Sequence, residues 1–98
     1  MEIKELQKDK NLFIISFTIY NDVNMGCVIN CNEENLPNML LQIKEKNPYF
    51  CDIKYIVQLS KMCGLSDDLK VDVEEILLYL KAKVVGLKNN DYYIEPNF

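Results

Sequence analysis

The stretch Leu12-Phe13-Ile14-Ile15-Ser16-Phe17-Thr18-Ile19-Tyr20 narrows the fold more than any other segment. It is the longest apolar run, yet far short of the about 20 residues that a membrane-spanning helix needs. It is rich in β-branched and aromatic residues. Phe13, Ile15, Phe17 and Ile19 fall on one face and Ser16 and Thr18 on the other, which predicts a strand. Asn21-Asp22-Val23-Asn24 supplies turn residues, and Gly26 to Cys31 returns as a second short strand, giving an N-terminal β-hairpin. Upstream, residues 1–10 carry mixed charge, with Ile3 and Leu6 as anchors of one frayed helical turn. The apolar run also looks like the core of an export signal, and Asn24-Met25-Gly26-Cys27 faintly like a lipoprotein cleavage box. Against export, Glu2, Glu5 and Asp9 sit where a leader is basic, and Asn24 stands where the box wants an aliphatic residue. A cytoplasmic protein with no membrane partner is expected.

Ninety-eight residues fit a single domain over 1–98. With 49% apolar and 27% charged residues the composition is globular rather than disordered. The net charge of −4 argues against a surface coated in basic groups for nucleic acid or anionic lipid, though not against a local patch. All eleven basic residues are lysines.

Four cysteines, Cys27, Cys31, Cys51 and Cys63, raise disulfides and zinc. A reducing compartment disfavours disulfides. Cys27 and Cys31 have the spacing of a ligand pair, but on an extended segment they stand roughly 13 Å apart, too far to share a metal. Cys51 and Cys63 form no knuckle, so buried reduced thiols are expected, with no metal and no cofactor. The absence of histidine removes the usual general base and the usual activator of a nucleophile. The three glycines stand alone, without a phosphate-binding loop. The pairs Glu33-Glu34, Asp67-Asp68 and Glu74-Glu75 suit helix starts better than carboxylate catalysis. No catalytic residue is expected, and the protein is taken as a non-enzyme.

Asn32 is expected to cap a helix that carries Pro37 early, buries Leu36, Met39, Leu40 and Ile43, and stops at Asn47-Pro48. Residues 52–63 are ambiguous. Ile53, Tyr55, Val57 and Leu59 alternate as in a strand, but Ile53, Ile56, Val57, Leu59 and Cys63 also fit a helix capped by Asp52 and stopped by Gly64. Helix is favoured, because Ser60-Lys61-Met62 carries the segment past ordinary strand length. Ser66-Asp67-Asp68 is a turn or cap. Val71 to Ala82 is a helix with Val73, Ile76, Leu77, Leu80 and Val84 towards the core. Lys83 to Lys88 and Asp91 to Glu95 flank Asn89-Asn90, a two-residue hairpin signal, and Pro96 ends it.

Helix, Gly-Leu-Ser turn, helix and hairpin over 52–95 resemble the winged helix-turn-helix family. Gln58-Leu59-Ser60-Lys61-Met62-Cys63-Gly64-Leu65-Ser66 matches the end of its second helix and the turn, Ile76 to Ala82 the end of its third helix, and Lys83 to Glu95 its wing. The resemblance covers less than half of the chain. It departs in a longer stretch after Gly64, and the N-terminal hairpin is an addition. The fold it implies is α+β: a winged helix-turn-helix-like core of three helices plus a C-terminal β-hairpin wing, with an N-terminal β-hairpin. The alternative is a different ββα-based sandwich in which 53–59 is a strand.

The resemblance implies double-stranded DNA as partner, usually with the third helix in the major groove. Asp67, Asp68, Asp72, Glu74 and Glu75 at the start of that helix, opposed only by Lys70, would be repelled by phosphates, and no arginine is available to read guanine. The expected DNA contacts are therefore Lys81, Lys83 and Lys88 around the wing, Asn89, Asn90 and Tyr92 beside them, and Lys4, Lys8 and Lys10 at the N-terminus. Such a protein would be a regulator or accessory factor of a plasmid, phage or other mobile genetic element. Ile76-Leu77-Leu78-Tyr79-Leu80 is continuously apolar, so Leu78 and Tyr79 must meet either the N-terminal hairpin or another chain. A homodimer interface is the preferred expectation. The alternative function is an acidic inhibitor or immunity-type protein that covers a basic protein partner through 67–75.

Overall fold

A computed structural model describes residues 3–20 and 23–95. The Ile3 side chain, the Asn21-Asp22 turn and Pro96 lie outside the described residues. The elements in order are α1 (Ile3–Leu6), β1 (Leu12–Ile19), β2 (Val23–Asn30), α2 (Leu36–Lys46), β3 (Asp52–Gln58), α3 (Asp67–Gly86) and β4 (Asp91–Glu95). Short 3₁₀ turns at Glu33–Asn35 and Leu59–Gly64 precede α2 and α3. The four strands form one sheet in the order β3-β1-β2-β4, with every neighbouring pair antiparallel.

The expected hairpin forms the centre of this sheet. β1 and β2 pair from Leu12↔Asn30 to Ile19↔Val23. Because both faces are covered, β1 is buried without a break from Leu12 to Phe17, as a central strand requires. Phe13, Ile15, Phe17, Met25, Cys27 and Ile29 point to one side and pack with Met39 and Ile43 of α2 and with Phe50. Phe17 meets Phe50 edge-on at 4.6 Å between ring centroids. Leu12, Ile14 and Val28 point to the other side and pack with Leu6, Val57, Leu59, Met62 and the inner stripe of α3. The result is three layers: α2, the sheet, and α3.

Three expectations are corrected. Residues 52–58 are a strand, as in the sandwich alternative, and not a helix. The competition was decided by tertiary pairing, since β3 supplies the ladder partner along one edge of β1. The register shifts between Ser16 and Phe17: Ser16 pairs with Tyr55 but Phe17 with Ile53, leaving Lys54 as a bulged extra residue. The bulge sends Ile53 to the α2 side while Tyr55 and Val57 face α3. The alternation therefore does not lie on one face. The strand ends at Gln58, and Ser60-Lys61-Met62 belong to the following 3₁₀ turn.

The C-terminal wing is also absent. α3 continues through Lys83 to Gly86, because Val84 still packs into the core and nothing before Leu87 stops the helix. β4 pairs with β2, from Asn30↔Asp91 to Gly26↔Glu95, and so uses an existing sheet edge instead of residues 83–88. Asn89-Asn90 is a helix-to-strand connection. Asn90 takes φ 63°, and its N–H donates to the Asn30 carbonyl at 2.6 Å. The core of three helices plus a wing is thus replaced by a four-stranded antiparallel sheet with α2 and α3 on opposite faces. Thirdly, Asn32 opens the 3₁₀ turn without a side-chain bond, and Asn35 precedes α2 proper. The stop at Asn47 is as expected, its side chain donating to the Ile43 carbonyl at 3.1 Å.

Gly86 tests the helix directly, since a Cβ built there meets nothing within 4 Å and its φ is not positive. Gly86→Ala is expected to raise stability by about 0.5–1 kcal/mol, read as an upward shift of the urea midpoint at unchanged slope. A loss of that size would mean that 83–86 is not helical.

Candidate interaction surface on α3

α3 begins at a well-made cap: the Ser66 Oγ accepts from the Leu69 N–H at 3.4 Å. Val73, Ile76, Leu77, Leu80 and Val84 recur at helical spacing and are buried against the sheet. The opposite side of the same helix presents Val71, Leu78 and Val85, which are 52%, 71% and 53% exposed and follow one another at intervals of about two turns. Exposed Ala82 falls in the same stripe and exposed Tyr79 flanks it. The N-terminal hairpin therefore does not cover Leu78 and Tyr79. Asn24 of that hairpin lines an open depression with Glu75, Leu78 and Tyr79.

Apart from Lys70, the charges on this helix are segregated. Asp67, Asp68, Asp72, Glu74 and Glu75 are exposed along its first half, and Lys81 and Lys83 along its second. Among the described residues the one ion pair is Lys61–Glu33 at 4.0 Å, so no carboxylate of α3 is paired with a described lysine. Beside the helix the β3 bulge opens a cleft of about 70 Å³ lined by Ser16, Asn24, Lys54, Tyr55, Asp72, Glu75 and Ile76. Lys54 Nζ donates to the Asn24 side-chain oxygen at 3.5 Å. The Tyr55 hydroxyl is buried against Ser16 without a well-formed hydrogen bond. Burial raises its pKa, the carboxylates of Asp72 and Glu75 raise it further, and the Ser16 contact opposes them.

Of the residues expected to touch DNA, Lys83 and Tyr92 lie on opposite faces of the sheet. Lys83 Nζ sits 5.0 Å from the centroid of the Tyr93 ring, a cation–π contact on the α3 side of the sheet. Tyr92 packs on the α2 side, where its hydroxyl accepts from the Asn47 side chain at 3.4 Å. Lys88 and Asn89 are exposed in the connection, and Asn90 is held by the Asn35 side chain at 2.8 Å. Lys81 is exposed on α3, and Lys4 and Lys8 are exposed at the N-terminus. Lys10 lines a shallow hollow with Glu33 and Glu34, which offset its charge.

Cys27 and Cys31 are buried on the α2 side, and burial pushes both thiols up, which keeps them protonated. Cys51 and Cys63 are exposed. Among the described residues no three or more His, Cys, Asp or Glu side chains are placed to hold a metal ion, and no helix is long and apolar enough to cross a membrane.

The Tyr55 hydroxyl has little to lose. Tyr55→Phe is expected to leave stability at pH 7 unchanged within about 0.5 kcal/mol, and a loss above about 1 kcal/mol in urea titrations would show a working hydrogen bond. A raised folded-state pKa gives stability that is full below the unfolded value and is lost as pH rises. Tyr93, Cys27 and Cys31 shift the same way, so the wild type should weaken above about pH 8.5–10. Tyr55→Phe should flatten the upper part of that decline.

No protein-family model, no curated protein and no solved structure matches the chain.

Proposed function

We propose that this protein works by binding another polypeptide through the outer face of α3. The observation that carries the proposal is the line Val71, Leu78, Val85, apolar and more than half exposed on a helix whose inner face is fully used. Water-exposed apolar groups in register along one element, rimmed by charge, are what a protein interface buries. Unpaired carboxylates beside them favour a partner that brings cations, and such complementarity steers association. Double-stranded DNA fits less well, because the lysines share α3 and its surroundings with five carboxylates at the helix start, which phosphates would repel.

Leu78→Asp tests the proposal, since a side chain 71% exposed can change without disturbing the core. Its stability should stay within about 0.5 kcal/mol of wild type. Its affinity for a stoichiometric polypeptide partner, identified by cross-linking and mass spectrometry, should fall about 30-fold or more. Mobility-shift titration against DNA gives the opposing outcome. Salt-sensitive binding that is weakened by Lys88→Ala and untouched by Leu78→Asp would overturn the proposal in favour of DNA.

A further inference from the structure

We infer that the occupant of this face is a second copy of the same chain, its α3 laid antiparallel across the first with Leu78 at the crossing. The inference rests on the docking role proposed for α3 and names its partner. Leu78 stands midway between Val71 and Val85, so reversing the helix direction maps the apolar stripe onto itself. Val71 then lies beside Val85 of the second copy, and Leu78 beside Leu78. The stripe runs about 21 Å along the helix axis, and Ala82 keeps one stretch of it low enough for close approach.

The charges select the direction. Antiparallel packing carries Glu74 to Lys81 of the second copy, since both lie on the same flank of the stripe, and Asp67 towards its Lys88. A two-fold axis repeats each contact. These carboxylates have no described lysine within ion-pair distance in the single chain, so Lys81 of the second copy would give Glu74 a partner at closer range than Lys70 or Lys54 does. Parallel packing would instead set five carboxylates of one helix against five of the other, which is repulsive. α3 forms an outer layer with its core-facing side on the sheet, and Asn24 at the start of β2 borders the outer face beside Leu78 and Tyr79. One helix face is a small interface, about 1,200 Å² or less in total, so the pair should exchange with monomer as concentration changes.

Sedimentation equilibrium of the full chain over micromolar to millimolar concentration should show monomer and dimer. Glu74→Lys and Lys81→Glu should each weaken self-association about tenfold, because each turns two attractive contacts repulsive. Mixing the two single variants should restore a heterodimer of near wild-type strength, as should the Glu74→Lys/Lys81→Glu double variant on its own. Circular dichroism establishes that each variant is folded. A wild type that stays monomeric throughout overturns the inference, as does recovery in neither combination. If the wild type is monomeric while Leu78→Asp still abolishes binding of a different polypeptide, the docking face stands and only the second copy fails. If neither occurs, both fail.

Discussion

Side chains from Leu12 to Phe17 enter two separate cores in alternation, and the β1–β2 ladder is what holds both in place. Ile14 and Val28 face α3 while Ile15 and Cys27 face α2, with the backbone hydrogen bonds satisfied between the strands. Neither helix could be packed without this hairpin, because each covers a face that the same residues create. Hydrophobic burial of about 25 cal/mol for every Å² makes so completely buried a pair of strands the dominant stabilising unit. The flanking strands are consequences of it. β3 and β4 close its two open edges, and a central pair with both edges satisfied exposes no unpaired ladder.

The edge at β3 is less regular, and that irregularity shapes the surface nearby. Inserting Lys54 into the strand splits the segment between two faces, with Ile53 on one core and Tyr55 and Val57 on the other. Ser16, the polar residue among the buried positions of β1, is thereby set against a tyrosine rather than against another apolar group. The polar cleft, the raised Tyr55 hydroxyl and the nearby Asp72 and Glu75 all follow from one extra residue. The cleft also explains why that flank of α3 is not closed by packing.

α3 serves two surfaces at once. Its inner stripe completes one core, and its outer stripe leaves Val71, Leu78 and Val85 in water. Helix propensity alone does not require apolar residues at those exposed positions, where charged residues serve as well. Asp67 and Asp68 in its first turn are favourable to the helix dipole, but Asp72, Glu74 and Glu75 lie beyond that turn, where the effect has faded. Helix formation alone therefore does not account for the charge and apolarity on this face, which the proposed docking role would use.

Several features were legible in the residues. The strand over Leu12–Ile19, the inner stripe of α3 and the conspicuous Leu78 and Tyr79 follow from periodicity, which reports local geometry, and the stop at Asn47 from the Asn-Pro pair. The Val71, Leu78, Val85 spacing was equally readable, but a continuous apolar run hides which side of a helix is covered. Three things were not legible. Ile53 to Val57 suits helix and strand alike until β1 offers an edge to pair with. Lys83 to Glu95 reads as a hairpin until Val84 finds the core and β2 offers an edge to Asp91–Glu95. The bulge at Lys54 has no sequence mark, since it arises from register between strands far apart in the chain. The sequence by itself determined which segments are extended or helical wherever a single period dominated, and which side of each seeks burial. The tertiary structure decided the sheet order, the strand identity of 52–58, the length of α3 and which apolar face stays in water, because those depend on pairing energies between segments that no local pattern contains.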